Sequence, residues 1–584
     1  MSRVGSTSRR QFVVLVMVLA LMAAYAVRLV YVQVVAGPGL AAQARELRTD
    51  TLTLHAQRGA IVDADGNVLA TSQMRYDIWV DQRQIPAFKV RDADGEVTAQ
   101  GALAAAELLA PILDLDAHEL GAQLTGDAGV RIARDVTPEV RAAVVELGIG
   151  GAVWDELTTV RDYPATTTGG NLVGWVNEEG AGASGLEYAL EAELSGANGE
   201  TVFERGLTGQ VIPGAPQHTT PAQDGRTVNT TLEQDLEFRA EEVIDGAVEQ
   251  YGADWGAVVV IEVGTGRILA LAESGAIDPN DPSGFGGSRA IQDPYEPGST
   301  GKILTVAAAI EEGVVEPDTV FQVPYRYTTS NGQTFKDHTE HPDEQLTTAG
   351  ILADSSNTGT IQIGERMSDD VRARYMQDFG WGAPSGIELT GESTGSNLDP
   401  TGWDGRTRYA TMFGQGLSVN LLQNTNVIAT LANDGVHVQP HLVDGYTDTA
   451  GTFTPAELEE PRQVVSPETS EQVIRMLEGV TAAEGATGTR AAIDGYRVAG
   501  KTGTAEIMGP GGELSDTVAS FVGVAPAEDP QIAVGVVVYR PDTGFYGGTI
   551  AAPVFRDVAS FALTSLGVPP SAEPADLYPL TPAG

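Results

Sequence analysis

A serine and a lysine three residues apart, Ser299 and Lys302 in EPGSTGKILTVAAAIEEG, are the first residues here whose types and spacing suggest chemistry. The chain holds only four lysines, Lys89, Lys302, Lys336 and Lys501, so a lysine motif is less apt to arise by chance. Pro297-Gly298 reads as a turn, Ser299 opens a helix and Gly313 ends it. The pair then lies one turn apart on one face. The helix is apolar on nearly every side, which marks it as buried. A serine hydroxyl is a poor nucleophile until a base takes its proton, and a lysine is that base only where its ammonium form is destabilised. Desolvation, the positive end of the helix dipole and a second cation all push that way, and Lys501 could be the second cation. A capping serine followed by a surface lysine is the alternative that a bare SxxK leaves open.

Two further stretches could complete such a site. ILADSSNTGTIQIGERM puts Ser355-Ser356-Asn357 in a short break between helical runs, so Ser355 and Asn357 could face one cleft. Alone this SxN means little, because Ser and Asn are ordinary loop and cap residues. The other stretch, GYRVAGKT from Gly495 to Thr502, satisfies the phosphate-loop pattern GxxxxGK[ST]. That pattern requires a strand, a glycine-rich turn and a helix starting at the Lys-Thr. Tyr496 to Ala499 read instead as strand, and Gly503 and the turn Gly509-Pro510-Gly511-Gly512 oppose a helix. Read as VAGKTGTAE on a strand, the stretch offers the hydroxyls of Thr502 and Thr504 on one side, fit for a carboxylate. Gly503 leaves room for a substrate backbone alongside. A strict pleat sends Lys501 to the opposite face, which leaves the position of its ammonium open.

Other clusters are weaker. His338 and His341 in DHTEHPDE lack a helix to align metal ligands, and Pro342 makes a loop, so a polar surface loop is the preferred reading and no metal is expected. The two DADG stretches, at 63–66 and 92–95, read as hairpin turns and not as calcium loops. Glu187 reads as structural. No cofactor is implied.

The elements that must position these residues come from a chain of 584 residues, long enough for two or more domains. A formal charge of −44 argues against nucleic-acid binding, since affinity for a polyanion comes mainly from Lys and Arg. The absence of cysteine removes disulfides, thiol catalysis and cysteine metal sites. Arg3, Arg9 and Arg10 precede the apolar run Phe12 to Val27, and Ala24-Tyr25-Ala26 fits a signal-peptidase site. Apolar character resumes after Arg28, however, and a helix from Phe12 to Val35 at ~1.5 Å per residue spans roughly 30 Å of hydrocarbon, which favours an uncleaved anchor. Everything beyond residue 36 then lies outside the cytoplasm. RGAIVDADGNVLATS reads as two strands around a turn, and Gly101 to Leu147 as helical, with TPEVRAAVVEL opening on a threonine cap. From residue 225 come the strand VNTTL, an amphipathic helix, a hairpin in GAVVVIEVGTGRILALAE, two late strands and a closing helix. Strands at both ends with helices between them indicate an α+β domain whose sheet is assembled from distant segments. The Pro- and Ala-rich tail from Pro569 reads as loose.

SxxK, SxN and KTG in this order form the pattern of serine acyltransferases that process D-alanyl-D-alanine peptides and react with β-lactams. The chain resembles the class B penicillin-binding proteins, in particular the division-associated, FtsI-like group. The matching stretches are RLVYVQVV, RGAIVDADGNVLA, RDYP, GASGLE, the hairpin before Ser299, FGQGLSVNLLQ, VAGKTGTAE and FYGGTIAAPVFRDV. They run from the membrane segment to about residue 565. The resemblance implies a cytoplasmic tail at 1–11, a transmembrane helix at 12–35, an elongated mixed α/β pedestal at 37–224, a transpeptidase domain at 225–568 and a flexible tail at 569–584. The transpeptidase domain would have an antiparallel sheet with helices on both sides and an all-helical part.

By the same resemblance, Ser299 attacks the penultimate D-Ala carbonyl and Lys302 takes its proton. Ser355 relays a proton to the leaving D-Ala, and Asn357 orients the peptide. Lys501, Thr502 and Thr504 hold the terminal carboxylate beside Gly503, and the backbone amides of Ser299 and Thr504 form the oxyanion hole. Implied partners are peptidoglycan stem peptides, β-lactams as covalent inhibitors, a membrane glycan polymerase of the FtsW type and other divisome proteins. The implied function is D,D-transpeptidation at the division septum. An elongation-type transpeptidase, a carboxypeptidase or β-lactamase-type hydrolase, and a silent β-lactam sensor or scaffold remain alternatives. The large pedestal argues against a simple hydrolase, and the intact motifs against a silent protein. In one departure, Gly301 stands where the group often carries a bulky residue, which puts the desolvation of Lys302 in question.

Overall fold

The apolar run near the N-terminus forms one continuous helical rod in a computed structural model, which describes residues 7–582 except 47, 92–93, 95, 150, 207–211, 213, 215–216, 397–398 and 509–513. Arg3, most of the second DADG stretch and the 509–512 turn lie outside the described residues. The α-helix Thr7–Val30 passes through a π-helical turn, Tyr31–Ala36, into a further helix, Gly37–Glu46. Within it, Ser8–Ala44 is long and apolar enough to cross a membrane. The helix runs on past Val35. The wider turn just before Gly37 accommodates Pro38, whose ring conflicts with the carbonyl four residues back in a regular helix.

Contacts divide the chain into two compact units, residues 1–57 with 196–224, and residues 58–195 with 225–584. The first holds the apolar rod and an antiparallel sheet of Thr49–Leu54, Gly199–Glu204 and His218–Thr220.

The second unit begins with a seven-stranded sheet drawn from both halves of the sequence. Its path runs Phe453–Pro455, Val443–Thr447, Thr227–Thr230, Ile61–Val62, Val68–Asp81, Gly129–Val136, and Val153–Asp162 also pairs with Val68–Asp81. Residues 58–195 therefore share a sheet with the region after 225. The physical reason is a parallel ladder between Thr227–Thr230 and Ile61–Val62, which makes one sheet of the two sequence regions. Gly129–Val136 is a strand inside the stretch read as helical, and its GVRIARDV has the alternation of a half-buried strand. Asp63 accepts from Asp65 N, Asn67 N and Asn67 Nδ2 at 2.7–3.0 Å, so the first DADG closes a hairpin. Glu187 is fully buried and takes Arg58 Nε on one oxygen and Arg161 Nε on the other, each at 2.6 Å, which ties RGAIVD, RDYP and GASGLE together as a structural cluster.

The remainder is built on a five-stranded antiparallel sheet of β1 (Trp255–Glu262), β2 (Ile268–Glu273), β3 (Ala499–Met508), β4 (Leu514–Ala525) and β5 (Ile532–Tyr539), in the order β2-β1-β5-β4-β3. Helices α1 (Gln234–Tyr251) and α7 (Gly547–Ser565) cover one face. The other faces a helical layer of α2 (Lys302–Glu311), α3 (Thr348–Asp354), α4 (Asn357–Gly364), α5 (Leu421–Ala432) and α6 (Pro467–Ala482). Apolar residues fill both interfaces because the central strands are buried on both faces and read as continuous Val, Ile and Ala runs.

The tail is docked over residues 569–582, not loose. Ser571 exchanges hydrogen bonds with Gly495 O and Arg497 N at 2.8 Å each. Arg475 on α6 pairs with Asp576 at 2.5 Å and stacks on Tyr578. Thr347, which caps α3, donates its N–H to Leu580 O at 3.0 Å and its hydroxyl to Pro579 O at 2.7 Å. Composition missed this because a few anchored groups suffice: two apolar side chains, Tyr578 and Leu580, settle on the core. Ending the chain after Pro570 is expected to cost roughly 1–3 kcal/mol through their exposure, read as a lower urea midpoint. An unchanged midpoint would mean that the tail carries no stability.

Candidate active site

Ser299 is presented by a 3-10 turn, Gly298–Gly301, that runs directly into α2. Within the turn Ser299 alone is partly exposed. Thr300 Oγ1 donates to Pro297 O at 2.8 Å, and Asn424 of α5 bridges Thr300 Oγ1 and Tyr295 OH at 3.0 Å each. This buttress left no signature in the sequence. Lys302, the first residue of α2, is wholly buried, and burial pushes its amine down to about 7 against the opposing charges of Asp337 and Asp354.

Gly301 does not loosen that burial. A Cβ there would lie 2.9 Å from Gly414 Cα and 3.5 Å from the Trp381 ring, so backbone fills the space that a bulky residue would need. The concern raised by this departure is answered by the FGQG loop, which replaces side chain with main chain.

Ser355 sits between α3 and α4 in the left-handed region, φ 63°. Lys302 Nζ donates to its carbonyl and, at 3.2 Å, to its hydroxyl. Lys501 Nζ reaches the same hydroxyl at 2.9 Å. Two buried lysines from distant segments thus converge on one hydroxyl. The ammonium left open by the pleat curls back along β3, within 3.3 Å of Thr502 O and Oγ1. Burial first, and the charge of Lys302 second, hold Lys501 well below the ordinary lysine range. Two adjacent cations are costly in such a site, which favours a neutral Lys501 beside Lys302. The Ser299 hydroxyl is not among the hydrogen-bond partners of either lysine.

Lys501 and Thr502 lie inside a ten-residue strand, which removes the phosphate-loop reading. Thr502 Oγ1 donates to Thr487 Oγ1 at 3.1 Å, and Thr504 Oγ1 accepts from Gly547 N at 3.1 Å. Gly503 has no room for a side chain on the face that a Cβ would take. A Cβ there would collide with Ser520 Oγ and come within 2.8 Å of Pro297 O and 3.1 Å of Thr300, so the glycine lets β3 press against the Ser299 turn. Asn357 is half-exposed at the start of α4, with Nδ2 3.4 Å from Lys336 O.

The DHTEHPDE loop supplies a residue that the sequence reading passed over. Asp337 is buried against the Ser355–Asn357 turn, and His341 Nε2 lies 3.1 Å from its carboxylate. His338 Nε2 lies 2.6 Å from Tyr546 OH instead. Among the described residues, no group of three or more His, Asp or Glu is arranged to hold a metal.

The model of the penicillin binding protein transpeptidase domain matches residues 256–560, and that of the penicillin-binding protein dimerisation domain matches residues 53–230. This chain is a class B penicillin-binding protein. All three motifs fall inside the first match and the Arg58–Glu187–Arg161 cluster inside the second. Among relatives, the penicillin-binding protein PbpB of Mycolicibacterium smegmatis is 33% identical over 97% of this chain and 91% of its own length. Peptidoglycan D,D-transpeptidase FtsI of Escherichia coli is 31% identical, over 90% and 86%. A peptidoglycan synthetase from Bifidobacterium adolescentis superposes with a TM-score of 0.76 at 35% identity, covering 91% of this chain and all of the other. Penicillin binding protein 3 from Mycobacterium tuberculosis, complexed with aztreonam, gives 0.69 at 28% identity over the same shares. The chain joins a dimerisation-type domain to a mixed α/β transpeptidase domain and carries an N-terminal apolar helix.

Proposed function

We propose that this class B penicillin-binding protein cross-links peptidoglycan stem peptides through an acyl-enzyme on Ser299. One observation carries the assignment of roles: Ser355 Oγ lies within 3.2 Å of Lys302 Nζ and 2.9 Å of Lys501 Nζ, and both lysines are fully buried. A buried amine held near neutrality is a competent base. Lys302 takes the Ser299 proton as Oγ attacks the penultimate D-Ala carbonyl. The oxyanion settles on the backbone amides of Ser299 and Thr504, a feature worth ~3–4 kcal/mol per donor. The C–N bond to the terminal D-Ala breaks as Ser355 passes a proton to the leaving amine, leaving an ester on Ser299. A stem-peptide amine then attacks that ester and frees the serine. Asn357 orients the donor peptide, while Lys501, Thr502 and Thr504 hold its terminal carboxylate. The Thr502 and Thr504 hydroxyls are within reach of protein partners that a carboxylate would displace or share.

The FtsI and PbpB names of its relatives support a role at the division septum, and a membrane glycan polymerase of the FtsW type and other divisome proteins are its proposed partners. The apolar helix supports a single-pass anchor with a cytoplasmic N-terminus and an extracytoplasmic catalytic domain.

Intact mass spectrometry of the detergent-solubilised chain after benzylpenicillin tests the reading. The parent is expected to gain one stable adduct and Ser299→Ala none. A parent without an adduct, or an adduct that survives in Ser299→Ala, would remove Ser299 from its role. Cross-linked product from paired stem peptides separates transfer from hydrolysis.

A further inference from the structure

We propose that Asp337, paired with His341, is a positioning residue for acylation: its carboxylate fastens the Ser355–Asn357 turn and its charge acts on Lys302. The inference rests on the reading of Lys302 as base.

The geometry comes first. Asp337 follows the short strand Thr334–Lys336 and is 5% exposed. One carboxylate oxygen accepts from Asn357 N and, at 3.0 Å, from Thr358 N. The other accepts from Ser356 Oγ at 2.7 Å and Thr358 Oγ1 at 3.0 Å, and faces His341 Nε2 at 3.1 Å. Ser356 Oγ in turn accepts from Gly359 N at 2.9 Å. Three of the four N–H groups that a helix start leaves without partners are thereby satisfied, two by Asp337 from outside the helix. A carboxylate also suits the positive end of α4. Next to this fastened turn, Ser355 adopts the left-handed region, and its carbonyl and hydroxyl accept from Lys302.

Charge follows from the same placement. Asp337 and Asp354 favour the ammonium form of Lys302 against its burial. His341 faces Asp337 through Nε2, and Glu344 at 3.2 Å and Pro342 O at 2.8 Å through Nδ1, with the Tyr325 ring edge-on at 6.0 Å. Burial opposes the imidazolium, but the bonds to Pro342 O and Asp337 and the charge of Glu344 raise it above the ordinary histidine range. A protonated His341 offsets part of the Asp337 charge that Lys302 feels. The two residues therefore act on Lys302 with opposite sign.

The test is the rate of acylation by benzylpenicillin across pH for the full chain in detergent. Asp337→Asn is expected to lower the plateau about 10- to 100-fold through misplacement of the Ser355 turn, and to move the acid limb down by roughly half a unit to one unit. His341→Gln keeps the carboxylate on the turn and is expected to leave the plateau within about threefold while the limb moves up by roughly half a unit. Limbs that stay with the parent in both variants would overturn the charge role. A plateau unchanged in Asp337→Asn would overturn the positioning role. Should Asp337→Asn fail to fold, the direction of the His341→Gln limb decides alone. A parent that is not acylated at all would instead defeat the underlying reading of Ser299 and Lys302, so the two failures are distinct.

Discussion

Lys302→Met is expected to lower the rate of Ser299 acylation by about 10²- to 10⁴-fold, the contribution of a positioned general base. Methionine keeps an unbranched stem of similar volume in a fully buried slot, so the loss reports the amine and not a cavity. The parent carries its own signature. Burial holds Lys302 at about 7, so the free base accumulates as pH rises through that value and is lost below it. Acylation should therefore climb from pH 6 to pH 8 in the parent. In Lys302→Met this limb should vanish. Lys302→Arg is a second control, because a guanidinium keeps the charge and cannot act as a base in this range. A methionine variant within tenfold of the parent, or one that retains the limb, would show that another group takes the Ser299 proton.

How much of this site could be read in advance depended on the range of the interaction. Ser299 and Lys302 share a turn, and Ser355 and Asn357 a break between helices, so local pattern was enough to single them out. The strand of Lys501 was equally plain, but a long flexible side chain decided where its ammonium went. A glycine in a strand signals close approach without saying what approaches, and at Gly503 one such neighbour is the Ser299 turn. Asp337 escaped notice because its partners lie about twenty residues on, and nothing local separates a buried cap from a loop acid in DHTEHPDE. The tail was misread for a similar reason: Pro- and Ala-rich composition describes the unfolded chain well and says little about docked carbonyls. A two-residue ladder at Ile61–Val62 is too short to leave a pattern, yet it joins two sequence regions into one sheet.

Gly414→Ala is expected to be the most damaging single methyl near the site. Gly414 lies in FGQG at φ 78°, and its N–H and carbonyl pack against the Ser299 turn, where Gly298 N donates to Gly414 O at 2.9 Å. A Cβ on Gly414 would collide with Gly298 O, the carbonyl immediately before the nucleophile. Neither backbone can give way easily. Gly301 is 2.9 Å from Gly414 Cα when given a Cβ, and Gly298 would come equally near Thr504 O of β3. Left-handed strain costs ~1–3 kcal/mol and forced displacement of packed groups a further ~1–3 kcal/mol, so roughly 2–6 kcal/mol together. That is a large part of the ~5–15 kcal/mol by which a domain is stable, and any relief comes from moving Ser299. Gly416→Ala isolates the first cost, since Gly416 has φ 73° but its Cβ would meet only ordinary contacts at 3.4 and 3.8 Å. The expected order is parent above Gly416→Ala above Gly414→Ala in urea midpoint, with acylation of the folded fraction reduced about 100-fold or more in Gly414→Ala alone. If both alanine variants lose the same stability and keep the same rate, the close approach of the FGQG loop does not hold the nucleophile, and the packing that buries Lys302 beside Gly301 must come from elsewhere.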